Sequence, residues 1–273
     1  MKRSGERILT THAGSLPRPA DLLAMMQAAD ADAGKLAARV RSAVKDVVSK
    51  QADLGLDVIT DGEMSKPSFI TYVTERLSGF TRSTEPGTLP WGGSKEVTAF
   101  PEFYEPSLRQ SPNASAPRFA CTGPITYTGH ARVQADIATL KTALAGLDVA
   151  EAFLPAIAPS NVEGRQRNEF YQTDEDYLFA IAEAMHEEYT AIVDAGLLLQ
   201  IDDPRLVTYY IMSPTSTVAE CRRWAEVRVA ERRRGNYAEA DRIRALLRKY
   251  GFEVRDAKDG SIQIIRIQHP PAA

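Results

Sequence analysis

Cysteine and histidine are scarce: the 273 residues hold two Cys (Cys121 and Cys221) and four His. Two distant cysteines make no disulfide framework and are too few for a Cys-rich zinc site. No apolar run approaches the roughly 20 residues that cross a bilayer. The opening "MKRSGERILTT" has basic residues but no apolar core, so it does not read as a secretory signal. G-x-G-x-x-G, P-loop and H-E-x-x-H patterns are missing, which leaves nucleotide-fold and zincin readings without support. These absences point to a reducing, cytoplasmic setting with no membrane partner. What remains is ordinary globular composition, 44% hydrophobic and 25% charged with a net charge of −3.

The charge is uneven. Residues 221–250 carry ten Arg or Lys against four acidic residues, a local balance of +6 that leaves −9 for the rest. That shift marks a change of character near residue 230 and predicts two parts, 1–230 and 231–273.

Four stretches in the first part read as buried strands that end in polar residues. They are residues 7–11 leading into His12–Ser15, "GLDVITDGE" ending at Asp61, Gly62 and Glu63, "RFACTGPITY" with Thr122-Gly123-Pro124 at its exit, and "GLLLQIDDP" ending at Asp202 and Asp203. Helical spacing of apolar residues predicts helices over 34–53, 174–195 and 217–234. Thr173 is a good N-cap for the second, and Gly196 a plausible terminator. The segments 81–117 and 155–172, rich in Pro, Gly, Ser and Asn, read as long loops. Strands alternating with helices predict a parallel α/β sheet, and in such folds chemistry collects at the C-terminal ends of the strands. Only about four strand–helix units fit before residue 206, half of what a complete (β/α)8 TIM-type barrel needs. A second helix over 237–250 and a β-hairpin turning through Lys258-Asp259-Gly260 follow.

The ordered set "TTHAGSLPRP", "GLDVITDGE" with "SFITYVTERLSGF", "CTGPITY" and "IDDP" resembles the catalytic barrel of the cobalamin-independent methionine synthase family, whose relatives include epoxyalkane:coenzyme M transferases. The likeness runs over about residues 7–230 and stops after the fourth strand. That family moves a methyl group from a folate to the sulfur of homocysteine, with zinc holding the thiolate that acts as nucleophile. The resemblance implies that Gly14 and Ser15 meet the amino-acid carboxylate. It implies that Glu63 and Asp202 hold the ammonium and that Thr122, Gly123 and Pro124 lie near a methyl-folate. His12, at the first strand exit, is placed to touch substrate or metal. Read from the residues alone, Glu63 and Asp202 either face a ligand or cap helices and pair with Arg18 or Arg76. No residue is assigned as catalytic.

The family's zinc ligands lie after the fourth strand, and no His-x-Cys, Glu and Cys set follows here. Cys121 reads as packing; Cys221 and His269 lack ligand spacing. The expectation is therefore no metal site, with three readings open: methyl or alkyl transfer to a thiol, a non-catalytic folate or amino-acid binder, or an RNA-associated protein. The last draws on "ERRRGNYAEADRIRALLRKYGFEVRDAKDGS", residues 231–261, which is similar to the C-terminal segment of cysteinyl-tRNA synthetases. A partial barrel also leaves open sheet edges, so self-association that completes the barrel is a further expectation.

Overall fold

The computed structural model describes residues 2–28, 30–83, 94–104, 118–205, the strands 252–256 and 262–266, and a few positions between 208 and 220. The chain divides into two compact units, Met1–Pro214 and Thr215–Ala273. The expected helices over 217–234 and 237–250, the boundary near residue 230, the turn at Lys258–Gly260, Cys221 and His269 lie outside the described residues, apart from isolated positions at the start of the first helix.

In the first unit, helix α1 (Ala20–Gln27) precedes α2 (Ala33–Asp53). Asp32 caps α2, its carboxylate accepting from Gly34 N at 2.8 Å and Lys35 N at 3.0 Å. Gly55, at φ 78°, turns the chain into strand β1 (Val58–Thr60). A 3₁₀ turn, Thr71–Glu75, follows, then strand β2 (Phe80–Arg82), helix α3 (Lys95–Ala99), strand β3 (Phe119–Cys121) and helix α4 (His130–Leu144). Strand β4 (Glu151–Ile157), helix α5 (Pro159–Glu163), strand β5 (Arg167–Asn168), helix α6 (Asp174–Asp194) and strand β6 (Leu198–Asp202) complete the unit. Thr173 caps α6 as expected, accepting from Asp176 N at 3.0 Å.

Three strands form a parallel sheet in the order β1-β4-β6. Thr11 adds one parallel bridge to Val58 on the outer side of β1, which is all that forms of the strand expected over 7–11. The middle strand, β4, was not expected, and its last three residues, 155–157, fall in the stretch expected to be a loop. Pro155 argues against a strand in sequence, yet the ladder accommodates it. Pairing with β1 ends at Phe153, two residues earlier, and the Pro155 carbonyl accepts instead from the Lys66 ammonium. Residues 119–121, expected to belong to the parallel sheet, lie in a second one of order β2-β3-β5, antiparallel on one side and parallel on the other. In the second unit β7 (Phe252–Asp256) and β8 (Ile262–Arg266) pair antiparallel, with Phe252 opposite Arg266.

The core lies between the parallel sheet and α2, α4 and α6. From α6 it takes Tyr177, Ile181, Ala184, Met185, Glu188 and Ile192, one helical face. Glu188, 1% exposed, is the only carboxylate in that set. It accepts from Tyr72 Oη at 3.1 Å and Tyr127 Oη at 2.7 Å, and pairs with Arg76 at 3.0 Å; Arg76 also holds Asp136. Burial opposes the Arg76 charge, but Asp136 and Glu188 outweigh it and raise its pKa. Tyr72 Oη accepts from Ile157 N at 3.0 Å, so this network fastens the end of β4. On β1, Gln51 of α2 covers the strand's backbone: its amide donates to Thr60 O at 2.8 Å and accepts from Thr60 N at 3.2 Å.

One side chain, Asp57, gathers three contacts from the N-terminal segment. Asp57, 6% exposed, accepts from Thr10 N at 2.8 Å, Thr10 Oγ1 at 3.1 Å and the Arg7 guanidinium. Arg7 first, then the Thr10 amide, hold its carboxyl well below the usual carboxylate range. A depressed folded-state pKa stabilises the fold above the unfolded value, 3.8, and that stabilisation is lost as pH falls towards the folded one. Asp57→Asn is therefore expected to lower the urea midpoint at pH 7, with the gap to wild type closing as pH falls below about 4. An equal gap at pH 7 and pH 2.5 would contradict this role.

Candidate functional site

β1 ends in a strained turn. Gly62 and Glu63 are both left-handed, with φ 67° and 59°, and Glu63 is the only non-glycine residue with positive φ among those described. For a side-chain-bearing residue that conformation costs about 1–2 kcal/mol and persists where surrounding contacts impose it. Here the contacts are explicit. Asp61 Oδ1 accepts from Glu63 N at 2.9 Å. Leu16 N donates to Gly62 O at 3.1 Å, and Arg18 Nη2 donates to Glu63 O at 2.8 Å. A Cβ on Gly62 would lie 3.2 Å from Leu16 Cβ, so that close approach suits glycine.

The turn aims Glu63 into a cavity of about 320 Å³ at the exit end of the parallel sheet. Its lining is Ala13, Gly14, Ser15, Glu63, Phe69, Gln200, Ile201, Asp202, Asp203 and Pro204. Glu63 is 1% exposed. Its Oε1 accepts from Ser15 Oγ at 3.0 Å, while Oε2 is buried without a hydrogen-bond partner. Burial raises the Glu63 pKa above its ordinary value; Lys66 and the Ser15 hydroxyl oppose that shift, and Asp61 and Asp202 add to it. Asp61, also buried, is raised by burial and relieved chiefly by Lys66. The Lys66 ammonium lies 4.4 Å from the Tyr72 ring centroid, a buried cation beside two buried carboxylates.

From β6, Gln200 and Asp202 share one face of the strand by alternation. Gln200 Nε2 donates to Asp202 Oδ1 at 2.7 Å. Asp203 accepts from Ser160 Oγ at 2.7 Å and Asn161 Nδ2 at 3.3 Å, which ties the β6 exit to the first turn of α5.

Of the residues singled out in sequence, the structure brings Gly14, Ser15, Glu63 and Asp202 to one cavity. His12 is half-buried with Nε2 covered and without a hydrogen-bond partner, and it is not part of the lining. Thr122, Gly123 and Pro124 are not in that lining; they follow β3 at the exit of the second sheet. Thr122 N and Gly123 N donate to Gly79 O at 2.9 and 3.2 Å, and the Thr122 and Thr81 hydroxyls are 2.6 Å apart. A Cβ on Gly79 would strike Gly123 O at 2.6 Å, so this junction closes only around glycine. Arg18 does meet Glu63, as one sequence alternative has it, but through the backbone carbonyl, leaving the carboxylate to the cavity. Arg76 pairs with Glu188 and Asp136. Phe69, Gln200 and Lys66 were not anticipated, and Asp61 was noted only as a strand-exit residue. Gln200 had a signal, a polar residue in an apolar run at the spacing of Asp202.

No group of three His, Cys, Asp or Glu set to hold a metal occurs among the described residues. Cys121 is fully buried, its thiol directed to Gly123 O at 3.3 Å and its pKa raised by burial, the opposite of a metal-binding thiolate. The described residues therefore do not fit a zinc site.

A parallel sheet that gathers buried carboxylates and a hydroxyl at its strand exits defines an α/β, barrel-type ligand site. The chain belongs to the family described as cobalamin-independent synthase, catalytic domain, whose model matches residues 8–152. It is 28% identical over 207 residues to a methionine synthase of Sulfolobus acidocaldarius, covering 73% of this chain and 52% of that protein. To the methionine synthase of Saccharolobus solfataricus it is 27% identical, covering 73% and 53%. In fold it is similar to the B12-independent methionine synthase of Shewanella sp. W3-18-1, solved with selenomethionine, at a TM-score of 0.54 and 19% identity over 72% of this chain and 52% of that one. The chain thus spans about half the length of the curated relatives it matches. No described helix is long and apolar enough to cross a membrane.

The turn yields a test that separates backbone from carboxylate. Glu63→Gly and Glu63→Ala both remove the side chain, and only glycine relieves the left-handed backbone. Glu63→Gly is expected to be more stable than Glu63→Ala by about 1 kcal/mol in urea unfolding. Equal stability of the two would show that the turn is unstrained.

Proposed function

We propose that the cavity holds an amino acid of the homocysteine or methionine type, and that this unit is the substrate-gripping part of a thiol methyltransferase of its family. The observation that carries the reading is the buried, unpartnered Oε2 of Glu63, a residue that lines the cavity together with Asp202. A buried carboxylate with an idle oxygen is costly, and an ammonium group supplies both charge and donors. Two carboxylates that repel one another when the cavity is empty are both satisfied by one cation. The exposed Gly14 and Ser15 suit the substrate carboxylate through their backbone N–H groups, the Ser15 hydroxyl being donated to Glu63. Phe69 and Ile201 offer apolar contact for a thioether or thiol side chain. Selenomethionine in the Shewanella relative supports the same ligand class.

Methyl transfer needs more than this grip. In the family zinc supplies the thiolate, and the described residues offer it no donor set. Binding and positioning are therefore the chemistry assigned to these residues, and turnover requires donors from outside them. A methyl-folate as second substrate is carried by family membership alone, because Thr122, Gly123 and Pro124 are not part of the cavity lining.

The reading is tested by calorimetric titration with homocysteine and with methionine. Saturable binding is expected, weakened at least tenfold in Glu63→Gln. Because burial raises the Glu63 pKa, affinity is expected to fall on acidification at a pH above that of an ordinary carboxylate. Binding that Glu63→Gln leaves intact, or that is flat between pH 4.5 and 7.5, would refute the assignment.

A further inference from the structure

Arg165 lies outside the cavity, in the link between α5 and β5. Its Nε and Nη2 are buried and have no hydrogen-bond partner. These two N–H groups form one edge of the guanidinium, the edge that grips two oxygens of a carboxylate or phosphate side by side. The acidic residues nearest in sequence are engaged elsewhere: Glu163 pairs with Arg205 at 3.5 Å, and Glu169 pairs with Arg167.

The neighbours of Arg165 are basic. β3 and β5 run parallel with Ala120 opposite Arg167 and Cys121 opposite Asn168. Arg118 precedes β3 and Arg165 lies in the turn before β5, close enough for the Arg118 charge to act on Arg165. Phe119 N donating to Gln166 Oε1 at 3.2 Å fixes the same adjacency. Arg205, the partner of Glu163, packs over the adjacent Gly164, where a Cβ would strike its guanidinium. Burial first, then the Arg118 charge, lower the Arg165 pKa, and no carboxylate among the described residues offsets them. The residue is part-buried, but its Nε–Nη2 edge is covered without an acceptor, which is unfavourable for a group that cannot shed its proton to escape.

We propose that Arg165, beside Arg118, is a binding site for an oxyanion, a phosphate or carboxylate group, separate from the amino-acid cavity. The anion is gripped by Nε and Nη2 and supplies the charge that the surrounding residues withhold.

Thermal unfolding of the full chain tests this in phosphate, acetate and chloride at matched ionic strength and pH. Inorganic phosphate or acetate is expected to raise the wild-type midpoint saturably above chloride, the larger response telling phosphate from carboxylate recognition. In Arg165→Gln the response is expected to vanish while the midpoint in chloride stays at or above wild type, since that variant removes an unpaired charge. Arg165→Lys keeps the charge but loses the two-pronged edge, and its apparent affinity is expected to fall at least tenfold. No anion response in wild type, or an undiminished one in both variants, would overturn the proposal. Glu63 is untouched, so homocysteine binding reads the cavity independently.

Discussion

The left-handed turn at Gly62–Glu63 is the constraint on which the site depends. It takes the chain off β1 and keeps a carboxylate in the sheet's exit cavity, at a cost in backbone strain and desolvation. Five contacts hold it: Asp61 to the Glu63 amide, Leu16 to the Gly62 carbonyl, Arg18 and the Lys66 amide to the Glu63 carbonyl, and Ser15 to the carboxylate. Three of these come from residues 15–18, which reach the turn because Asp57 clamps residues 7–10 against the start of β1. The stretch that reads in sequence as a substrate-contacting loop is thus also the support of the residue it would act beside.

Two kinds of buried charge stand apart in this unit. The Glu188–Arg76–Asp136 cluster is closed: cation, carboxylates and tyrosine hydroxyls satisfy one another, and its effect is to fasten α6, α4 and the end of β4. Asp61, Glu63 and Lys66 are open, with an idle Glu63 oxygen and carboxylate pKa values raised by burial. Perturbed carboxylates of the open kind gather at sites that await a ligand.

Much of this was legible in the sequence. Acidic residues directly after apolar strands located Glu63 and Asp202, and helical spacing located α2 and α6 within a residue of their observed ends. What sequence hid is explained by long-range contacts. β4 was masked by Pro155, which is tolerated because β1 has already ended and Lys66 takes the carbonyl. Residues 119–121 are a short apolar run, and such a run is the same in either sheet. Only the Gly79–Gly123 contact and the pairing with β2 and β5 assign it to the second sheet, carrying Thr122–Pro124 with it. The positive φ of Glu63 has no sequence signature, because glycine alone announces that conformation and glycine sits one residue earlier.

The central claim is that Glu63 and Asp202 recognise an ammonium group. Its most direct test compares the affinity of methionine with that of its desamino analogue, 4-(methylthio)butanoate, which keeps the carboxylate and thioether and lacks only the amine. The account predicts that the analogue binds at least a hundredfold more weakly, since it offers nothing to the idle Glu63 oxygen and adds a negative charge without its compensating cation. Equal affinity for the two would contradict it.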